Sequence, residues 1–237
     1  MRYLLRIETR RRNQTGGLVP SLGWCDSLAN MTSPLDLHHW FGDLDIYLFD
    51  QLLKGRFVAG MRVLDAGCGG GRNLNYLLKS GFEVCGIDKS PEAIAHVRTL
   101  VTALAPNLPL NNFRVELVES MSFADEDFDV VISSAVLHFA RDEDHWHEMV
   151  REMWRVLKPG GIFFARLAST IGIEDEAEHL EGRRYLLPDG STRFLVDEQM
   201  LLTTTAALGG EWIEPFKTVV VQHQRAMSNW VVRKRQL

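Results

Sequence analysis

The sequence predicts an α/β protein with a mainly parallel, doubly wound sheet, and three observations support this fold class. Short apolar runs with the length of buried strands recur along the chain. Longer segments with apolar residues at helical spacing separate these runs, and this alternation is typical of a parallel sheet with helices on both faces. With 237 residues and 46% hydrophobic content, the chain is long enough for one sizeable core and short for two.

The predicted elements follow in regular order. A helical stretch is expected over residues 34–54, opened by Ser33 as N-cap and Pro34 at the first helical position. Ser90-Pro91 opens another helix in the same way. A tryptophan–methionine stripe between 146 and 157 indicates a third, packed helix, and a fourth is expected over about 197–208. Strands are predicted at 62–65, 83–88, 113–118, 128–133, 162–167, 216–222 and 229–232, with a polar stretch at 168–193.

The most informative segment is the turn between the first predicted strand and the helix that follows it. Its residues are Asp65-Ala66-Gly67-Cys68-Gly69-Gly70-Gly71-Arg72-Asn73. Glycines in such a turn allow backbone N–H groups to approach a ligand closely, with a helix N-terminus behind them. An acid lies at the strand end, two residues before the first glycine. A glycine turn alone is weak support for a function, so later parts of the chain have to decide which ligand it holds.

Asp65-x-Gly67-x-Gly69-x-Gly71 resembles the first motif of the class I S-adenosylmethionine-dependent methyltransferases. The run 128–139 is similar to their fourth strand and following loop, and Arg155-Val156-Leu157-Lys158-Pro159-Gly160-Gly161 to their turn into the fifth strand. The resemblance spans about residues 35–235, and within the class it is to the methyltransferase type 11/25 group. Details of the glycine turn and of the 132–139 loop also resemble the tellurite-resistance and thiol methyltransferase branch. The resemblance implies a Rossmann-like, seven-stranded, mainly parallel sheet with an antiparallel edge strand, and S-adenosylmethionine as cofactor.

A dinucleotide-binding fold is the alternative interpretation of the same turn. Its fingerprint G-x-G-x-x-G, counted from Gly67, would place the third glycine at Arg72. Asp88, 21 positions after Gly67, ends the second predicted strand and could accept ribose hydroxyls in either family. Asp65 favours the methyltransferase, since an acid suits the ammonium group of a methionine moiety and not a pyrophosphate. A nicotinamide oxidoreductase is therefore the third hypothesis.

The resemblance also implies which residues contact the cofactor. Asp65, Gly67 and Gly69 would hold the methionine end, Asp88 the ribose, and Ser133 or Ser134 the methionine carboxylate. The region after the third strand, where adenine is expected, reads Glu119-Ser120-Met121-Ser122-Phe123 and departs from the family's G-D-A and L-P-F pattern. Ser120 and Met121 are the candidates there, and the acid of the motif is displaced. The full set of expected cofactor residues is Asp65, Gly67, Cys68, Gly69, Gly71, Asn73, Asp88, Lys89, Ser120, Met121, Ser133 and Ser134.

Methyl transfer from a sulfonium releases a neutral group, so alignment of the reactants and exclusion of water can supply most of the acceleration. A catalytic base is needed only for a hydroxyl or protonated amine, and His138 is the one candidate, with helix packing as its alternative role. His39, Trp40, His138 and Arg193 are expected to face the acceptor. The segment 168–196 occupies the position of a lid or acceptor pocket in relatives. Cys68 is interpreted as a small side chain beside the cofactor, because no histidine or acid that could activate it is close in sequence.

The distribution of charge along the chain limits the classes of molecule that the domain is expected to bind. The first thirty residues carry five arginines and two acids, a net charge of +3, which leaves −8 for the remainder. An acidic domain disfavours nucleic acid and favours a small-molecule acceptor. Residues 1–30 are expected to be a disordered tail, an organelle transit peptide or sequence upstream of a start at Met31, and 31–237 a single methyltransferase domain.

Several absences complete the sequence-based expectations. Three unpaired cysteines without ligand spacing predict neither disulfides nor a metal site, and fit a cytoplasmic protein. No apolar run is long enough for a membrane span. The alternative to an active methyltransferase is a non-catalytic S-adenosylmethionine-binding scaffold or partner subunit, supported by the degraded motif after the third strand. The oligomeric state is not predicted.

Overall fold

The computed structural model describes residues 36–236. The expected N-terminal tail, the Met31 start and the Ser33-Pro34 cap lie outside the described residues. The helices are α1 (Leu37–Phe41), α2 (Ile46–Leu53), α3 (Leu74–Lys79), α4 (Pro91–Leu104), α5 (Glu143–Val156) and α6 (Glu198–Ala207). Within this range, no helix combines the length and apolar character that a membrane crossing requires.

A mixed sheet forms the centre of the fold. Its strands are β1 (Arg62–Ala66), β2 (Glu83–Asp88), β3 (Phe113–Val115), β4 (Phe128–Ser134), β5 (Leu157–Ser169), β9 (Gly210–Trp212), β10 (Lys217–Val221) and β11 (Arg225–Lys234). The order is β10-β11-β5-β4-β1-β2-β3, and β9 also pairs with β11. Pairing is parallel from β3 through β5, whereas β11 is antiparallel to each of its neighbours. This is the mainly parallel sheet with an antiparallel addition that the sequence predicts.

Both faces of the sheet are covered, because alternate residues of the buried strands pack on opposite sides. On β1, Leu64 belongs to the core cluster that contains α5, whereas Val63 belongs to the cluster that contains α3 and α4. Trp146 of α5 stacks with Trp230 of β11, with ring centroids 5.9 Å apart. The tryptophan–methionine stripe is therefore core packing, as predicted.

Helix boundaries follow local capping chemistry. The side chains of Asp45, Ser90, Asp142 and Asp197 each accept a backbone N–H in the first turn of the helix that follows. Capping stabilises each helix start by about 1 kcal/mol. Ser90 and Asp197 match the predicted starts. The expected helix over 34–54 is instead divided between α1 and α2 at Gly42, which has φ +58°.

Three other boundaries differ from the sequence-based expectations. β3 ends at Val115, three residues early, because the chain turns at Leu117–Ser120 instead of continuing along β2. β5 begins at Leu157, and the Pro-Gly-Gly segment forms a bulge opposite β4. The polar stretch is not a simple loop: it forms a three-stranded antiparallel sheet of β6 (Glu178–Glu181), β7 (Arg184–Leu186) and β8 (Thr192–Phe194). The strands of this small sheet have only three or four residues each, so the alternation of polar and apolar residues along them is too short to predict a strand.

Candidate active site

The glycine turn leads from the carboxyl end of β1 into α3 and lies beside the carboxyl end of β2. Gly67, Gly69 and Gly71 have φ values of +81°, +51° and +82°, which favour glycine strongly over residues with a Cβ. The N–H groups of Gly67 and Cys68 both donate to the carbonyl oxygen of Ile87, at 2.9 and 2.8 Å. The turn is therefore anchored to β2 by its own backbone.

Two of these glycines are constrained in opposite ways. A Cβ built on Gly67 would lie 2.5 Å from Cγ2 of Val136, so this position admits no side chain without displacing the loop after β4. A Cβ on Gly69 would meet no atom within 4 Å. Gly69 thus borders open space, where a ligand can approach the backbone closely. Gly71 faces Val97 and Leu100 of α4 and serves packing.

Asp88 fixes the turn from the end of β2. One carboxylate oxygen accepts the N–H of Gly69 and the other accepts the N–H of Ser90, both at 2.9 Å. Each oxygen retains a further lone pair for a ligand hydroxyl. The same side chain lines the cavity beside Lys89. Asp88 therefore connects the glycine turn to the start of α4.

Asp65 lies beneath the turn and is 1% exposed. Neither of its carboxylate oxygens has a hydrogen-bond partner in the described residues. Burial raises the pKa of this carboxyl group to about 7; Arg72 lowers it and Asp88 raises it further. A buried carboxyl group without partners is costly unless a cationic group compensates it. Asp65 does not itself line the cavity.

A cavity of about 620 Å³ opens at the carboxyl end of the sheet. Its size falls within the range for small-molecule and cofactor sites. Four segments supply its walls: the glycine turn, the end of β2, the turn after β3, and the loop after β4 with the start of α5. The lining residues are Gly67–Gly70, Arg72, Asn73, Asp88, Lys89, Glu116–Glu119, Ser134–Val136, Phe139, Arg141, His145 and Met149.

The turn after β3 presents different residues from those expected. Glu116 to Glu119 line the cavity, whereas Ser120 and Met121 do not. Met121 is buried in the core, and its N–H donates to Glu152 at 2.9 Å. The early end of β3 turns this segment, so the side chains before Ser120 face the cavity. The displaced acid noted in the sequence is the signal that could have identified Glu119.

Glu119 is paired with a histidine that the sequence analysis left out. Nε2 of His145 lies 3.0 Å from the Glu119 carboxylate, and both residues line the cavity. Nδ1 of His145 accepts the N–H of Arg141 at 3.1 Å. An accepting Nδ1 requires the proton on Nε2, which faces the carboxylate. The geometry at Nε2 does not meet the criteria for a hydrogen bond, so the contact with Glu119 is an electrostatic one.

The loop after β4 forms the opposite wall. Ser134 lines the cavity with an unpartnered hydroxyl group, while Ser133 is fully buried and does not. Ala135 adopts φ +64°, which is uncommon for a residue with a Cβ, and its N–H donates to the carbonyl of Arg166. This strained position directs the chain so that Val136 reaches Gly67.

His138 and Arg193 both contact Phe139, which lines the cavity. His138 is 8% exposed and does not line the cavity. Burial lowers its pKa to about 4, and the charges of Arg193, Arg166 and Arg225 contribute in the same direction. The imidazole is therefore neutral at pH 7. The Arg193 guanidinium lies over the Phe139 ring, 4.9 Å from its centroid, so β8 borders the cavity wall.

A buried ion-pair cluster supports the site from the N-terminal side. The Asp45 side chain is fully buried, and its Oδ2 lies 2.8 Å from Arg72 and 2.7 Å from Arg166. Its backbone N–H donates to Oδ1 of Asn73. Arg72 and Asn73 both line the cavity. Sequence reasoning missed this cluster because its members lie far apart in the chain.

The remaining candidates are placed elsewhere or are chemically inert. His39 and Trp40 lie on α1, where their carbonyl groups accept from Asn75 of α3, and they do not line the cavity. Cys68 lines the cavity, but burial raises the pKa of its thiol, as do Asp65 and Asp88. A thiol held protonated is not a nucleophile at pH 7.

Comparison with known proteins defines the class. Residues 64–165 match the family described as "Methyltransferase domain". The chain is 36% identical over 104 residues to an uncharacterized methyltransferase of Synechocystis sp., covering 44% of this chain and 45% of that protein. Alignments cover between 38% and 45% of the length of three curated relatives.

Solved structures show the same fold. An S-adenosylmethionine-dependent methyltransferase from Methanosarcina mazei superposes with a TM-score of 0.66 at 22% identity, covering 78% of this chain and 98% of that one. A Burkholderia thailandensis 1,6-didemethyltoxoflavin-N1-methyltransferase, solved with its substrate and S-adenosylhomocysteine, has a TM-score of 0.60 at 18% identity, covering 80% and 76%.

The glycine turn, the sheet order and the cavity at the carboxyl end of the sheet agree with the fold of these methyltransferase structures. Residues 64–165, which are less than half of the chain, are therefore similar in sequence to methyltransferase domains.

Proposed function

We propose that the protein transfers a methyl group from S-adenosylmethionine to a small-molecule acceptor by in-line displacement. One observation carries this proposal. The cavity borders the open edge of Gly69 and the carboxylate of Asp88, and the strand that leads into the glycine turn carries Asp65, a buried acid without a hydrogen-bond partner in the described residues. This arrangement suits a ligand with a cationic methionine end and a ribose.

The cavity walls suggest how the cofactor would be held. Asp88 would accept the ribose hydroxyls through its free lone pairs, and Asp65 would place negative charge beneath the ammonium group. Ser134 is preferred over Ser133 for the methionine carboxylate, because only Ser134 lines the cavity. Leu117 and Glu119 would take the adenine face and edge in place of Ser120 and Met121. Each charge-assisted hydrogen bond is expected to contribute about 1.5–3 kcal/mol.

The cofactor supplies an activated methyl group on a sulfonium, and its transfer leaves a neutral thioether. The protein therefore needs to align the acceptor and exclude water rather than stabilise a developing anion. Val136, Phe139 and Met149 supply apolar wall for this purpose. His138 is neutral and can accept a proton, but it is buried behind the wall, so it acts as base only for an acceptor that reaches past Phe139.

A small molecule is proposed as acceptor on two grounds. The net charge of −8 outside the first thirty residues disfavours a polyphosphate partner. The Burkholderia thailandensis protein of similar fold is described as a 1,6-didemethyltoxoflavin-N1-methyltransferase with bound 1,6-didemethyltoxoflavin. We propose, further, that residues 31–237 form one methyltransferase domain in which 168–196 borders the acceptor.

Calorimetric titration with S-adenosylmethionine, S-adenosylhomocysteine and NAD tests the proposal. Micromolar binding of both sulfur ligands is expected, with no binding of NAD. Asp88→Ala should weaken binding about ten- to a hundredfold. Asp175→Ala, at an exposed aspartate far from the cavity lining, is the matched control.

Two results would contradict the proposal. Absence of S-adenosylhomocysteine binding would remove the cofactor assignment altogether. Binding without methyl transfer to any acceptor, in an assay with radiolabelled S-adenosylmethionine, would favour the non-catalytic scaffold instead.

A further inference from the structure

Near the wall after β4 lie two arginines that form no ion pair with an acidic side chain of the described residues. Arg141 lines the cavity and forms no ion pair within residues 36–236. Arg193 lies over Phe139, which lines the cavity, and donates only to the carbonyl oxygen of Thr192. It likewise has no ion pair in the described part of the chain. We call these two arginines, together with Phe139, the arginine wall.

Most other arginines near the cavity are paired with acids. Arg72 and Arg166 share the buried carboxylate of Asp45. Arg183, ten residues before Arg193, contacts Glu143 and Asp197. The two arginines of the arginine wall therefore differ from their neighbours in having a free guanidinium group. A free guanidinium beside a cavity is suited to bidentate binding of a carboxylate or another oxyanion.

Within the described residues, the groups around the arginine wall form no ion pair with it. His138 packs against Phe139, with ring centroids 4.6 Å apart, and is neutral because its pKa is held to about 4 by burial and by Arg193, Arg166 and Arg225. Asp189 on the β7–β8 turn is the nearby acid: hydrogen bonds from Ser191 lower the pKa of its carboxyl group, and the charges of Arg193 and Arg225 contribute, but the described residues show no ion pair between Asp189 and Arg193. Glu116 and Glu119 also line the cavity, but Glu119 pairs with His145, and Glu116 is engaged by Ser122 and Arg114.

We propose that the arginine wall binds the negatively charged group of the methyl acceptor, so that the acceptor is a small organic acid. This inference rests on the proposed function, and it specifies the substrate class of the same site. The acidic group pairs with Arg193 and Arg141 while the apolar part packs on the exposed portion of Phe139, which is 57% accessible. The methylated atom then lies on the cavity side of Phe139, toward the glycine turn.

A packing role for Arg193 is the competing explanation. A guanidinium over an exposed ring contributes only about 0.5–1 kcal/mol, and its loss would affect stability rather than ligand choice. The two roles are separable, because packing depends on the shape of the side chain and anion binding on its charge. Arg193→Gln removes the charge, and Arg193→Lys retains it without the planar fork.

The test uses three ligands of matched shape: benzoate, benzamide and benzylamine. Each is titrated into the protein saturated with S-adenosylhomocysteine, with binding followed by protein-observed NMR. Benzoate is expected to bind at least tenfold more tightly than benzamide, and benzylamine not at all. Arg193→Gln should weaken benzoate about five- to tenfold without changing benzamide, and Arg193→Lys should retain part of the preference.

Arg184→Gln is the control, since Arg184 is an exposed arginine on the adjacent strand β7 and does not line the cavity. It should leave all three affinities unchanged. Equal affinity for benzoate and benzamide, no binding of benzoate, or an unchanged preference in Arg193→Gln would each overturn the inference.

Failure of the proposed function is distinguishable from failure of this inference. If S-adenosylhomocysteine does not bind the wild-type protein, the methyltransferase assignment falls, and the benzoate preference measured on the ligand-free protein still decides the anion site. If S-adenosylhomocysteine binds and no anion preference exists, only the arginine wall is wrong.

Discussion

At the scale of single residues, the site depends on groups held in states that they would not adopt in water. Asp65 is a carboxyl group whose pKa burial raises to about 7, with no hydrogen-bond partner for either oxygen in the described residues. The pKa of Asp65 is near 4 in the unfolded chain and about 7 in the folded one. The raised pKa therefore contributes to the stability of the ligand-free folded protein in full below pH 4. That contribution is lost as the pH rises toward 7.

The affinity for S-adenosylhomocysteine is therefore expected to increase about tenfold between pH 5.5 and 7.5, because its ammonium group binds the ionised form of Asp65. Asp65→Asn should weaken binding and flatten this pH profile. Calorimetry at four pH values measures both effects, with Asp175→Asn as a control that keeps the wild-type profile. A wild-type affinity independent of pH would show that Asp65 does not interact with the ligand.

The two glycines of the turn are expected to separate stability from binding. Gly67→Ala places a methyl group 2.5 Å from Val136 and should destabilise the fold by about 3 kcal/mol. Gly69→Ala meets no protein atom and should cost about 1 kcal/mol, from its positive φ alone. Its methyl group enters the space proposed for the cofactor, so affinity should fall at least tenfold. Urea denaturation and calorimetry together check this; unchanged affinity in Gly69→Ala would place the ligand elsewhere.

At the scale of elements, charged side chains join segments that are distant in sequence. Glu214, between β9 and β10, binds Lys54 at 2.6 Å, Lys217 at 3.1 Å and also Arg56. Lys54 and Arg56 follow directly after α2, so Glu214 connects the N-terminal helices to the antiparallel side of the sheet. Burial opposes ionisation of Glu214, but hydrogen bonds from Lys54, Lys217 and Arg56 outweigh it and lower its pKa to about 2.

A lowered pKa means that Glu214 stabilises the fold at pH above about 4.5 and that this contribution is lost as the pH falls toward 2. Glu214→Gln should therefore lower the free energy of unfolding by about 2 kcal/mol at pH 7 and by much less at pH 2.5. Urea titrations at both pH values make the comparison. Glu211→Gln, at an exposed position on β9, is the control, and an equal loss at both pH values would exclude the ionic contribution.

At the scale of the whole molecule, the residues that line the cavity all lie between Gly67 and Met149. The described core clusters draw on residues from Leu44 onward. A chain that begins at Met31 is therefore expected to bind S-adenosylhomocysteine within about twofold of the full chain, since every lining residue is retained. Calorimetry on the two chains compares them directly. A large loss of affinity would show that residues 1–30 contribute to the site.

Local chemistry made much of the fold predictable from the sequence. β2 and the start of α4 match their predicted limits, because a run of buried residues and a Ser-Pro cap are signals within a few positions. The glycine turn and Asp88 lie together because carboxyl ends of neighbouring parallel strands meet at one edge of the sheet. The order of strands and helices along the chain is therefore enough to predict that these residues lie together.

Other features required contacts between distant segments. The early end of β3 exchanges Ser120 and Met121 for Leu117 and Glu119 at the cavity, and no local pattern marks that turn. The division of α1 from α2 and the small sheet β6–β8 likewise depend on packing partners elsewhere.

The sequence by itself determined the class of fold, the glycine turn and the acids at the ends of β1 and β2, because each is written in a few adjacent residues. Tertiary structure alone decided which side chains reach the cavity, the depth at which Asp65 and His138 are buried, and the meeting of Arg193 with Phe139. Burial and pairing set the charge of these groups, and both depend on neighbours distant in the chain, as His138 depends on Arg225.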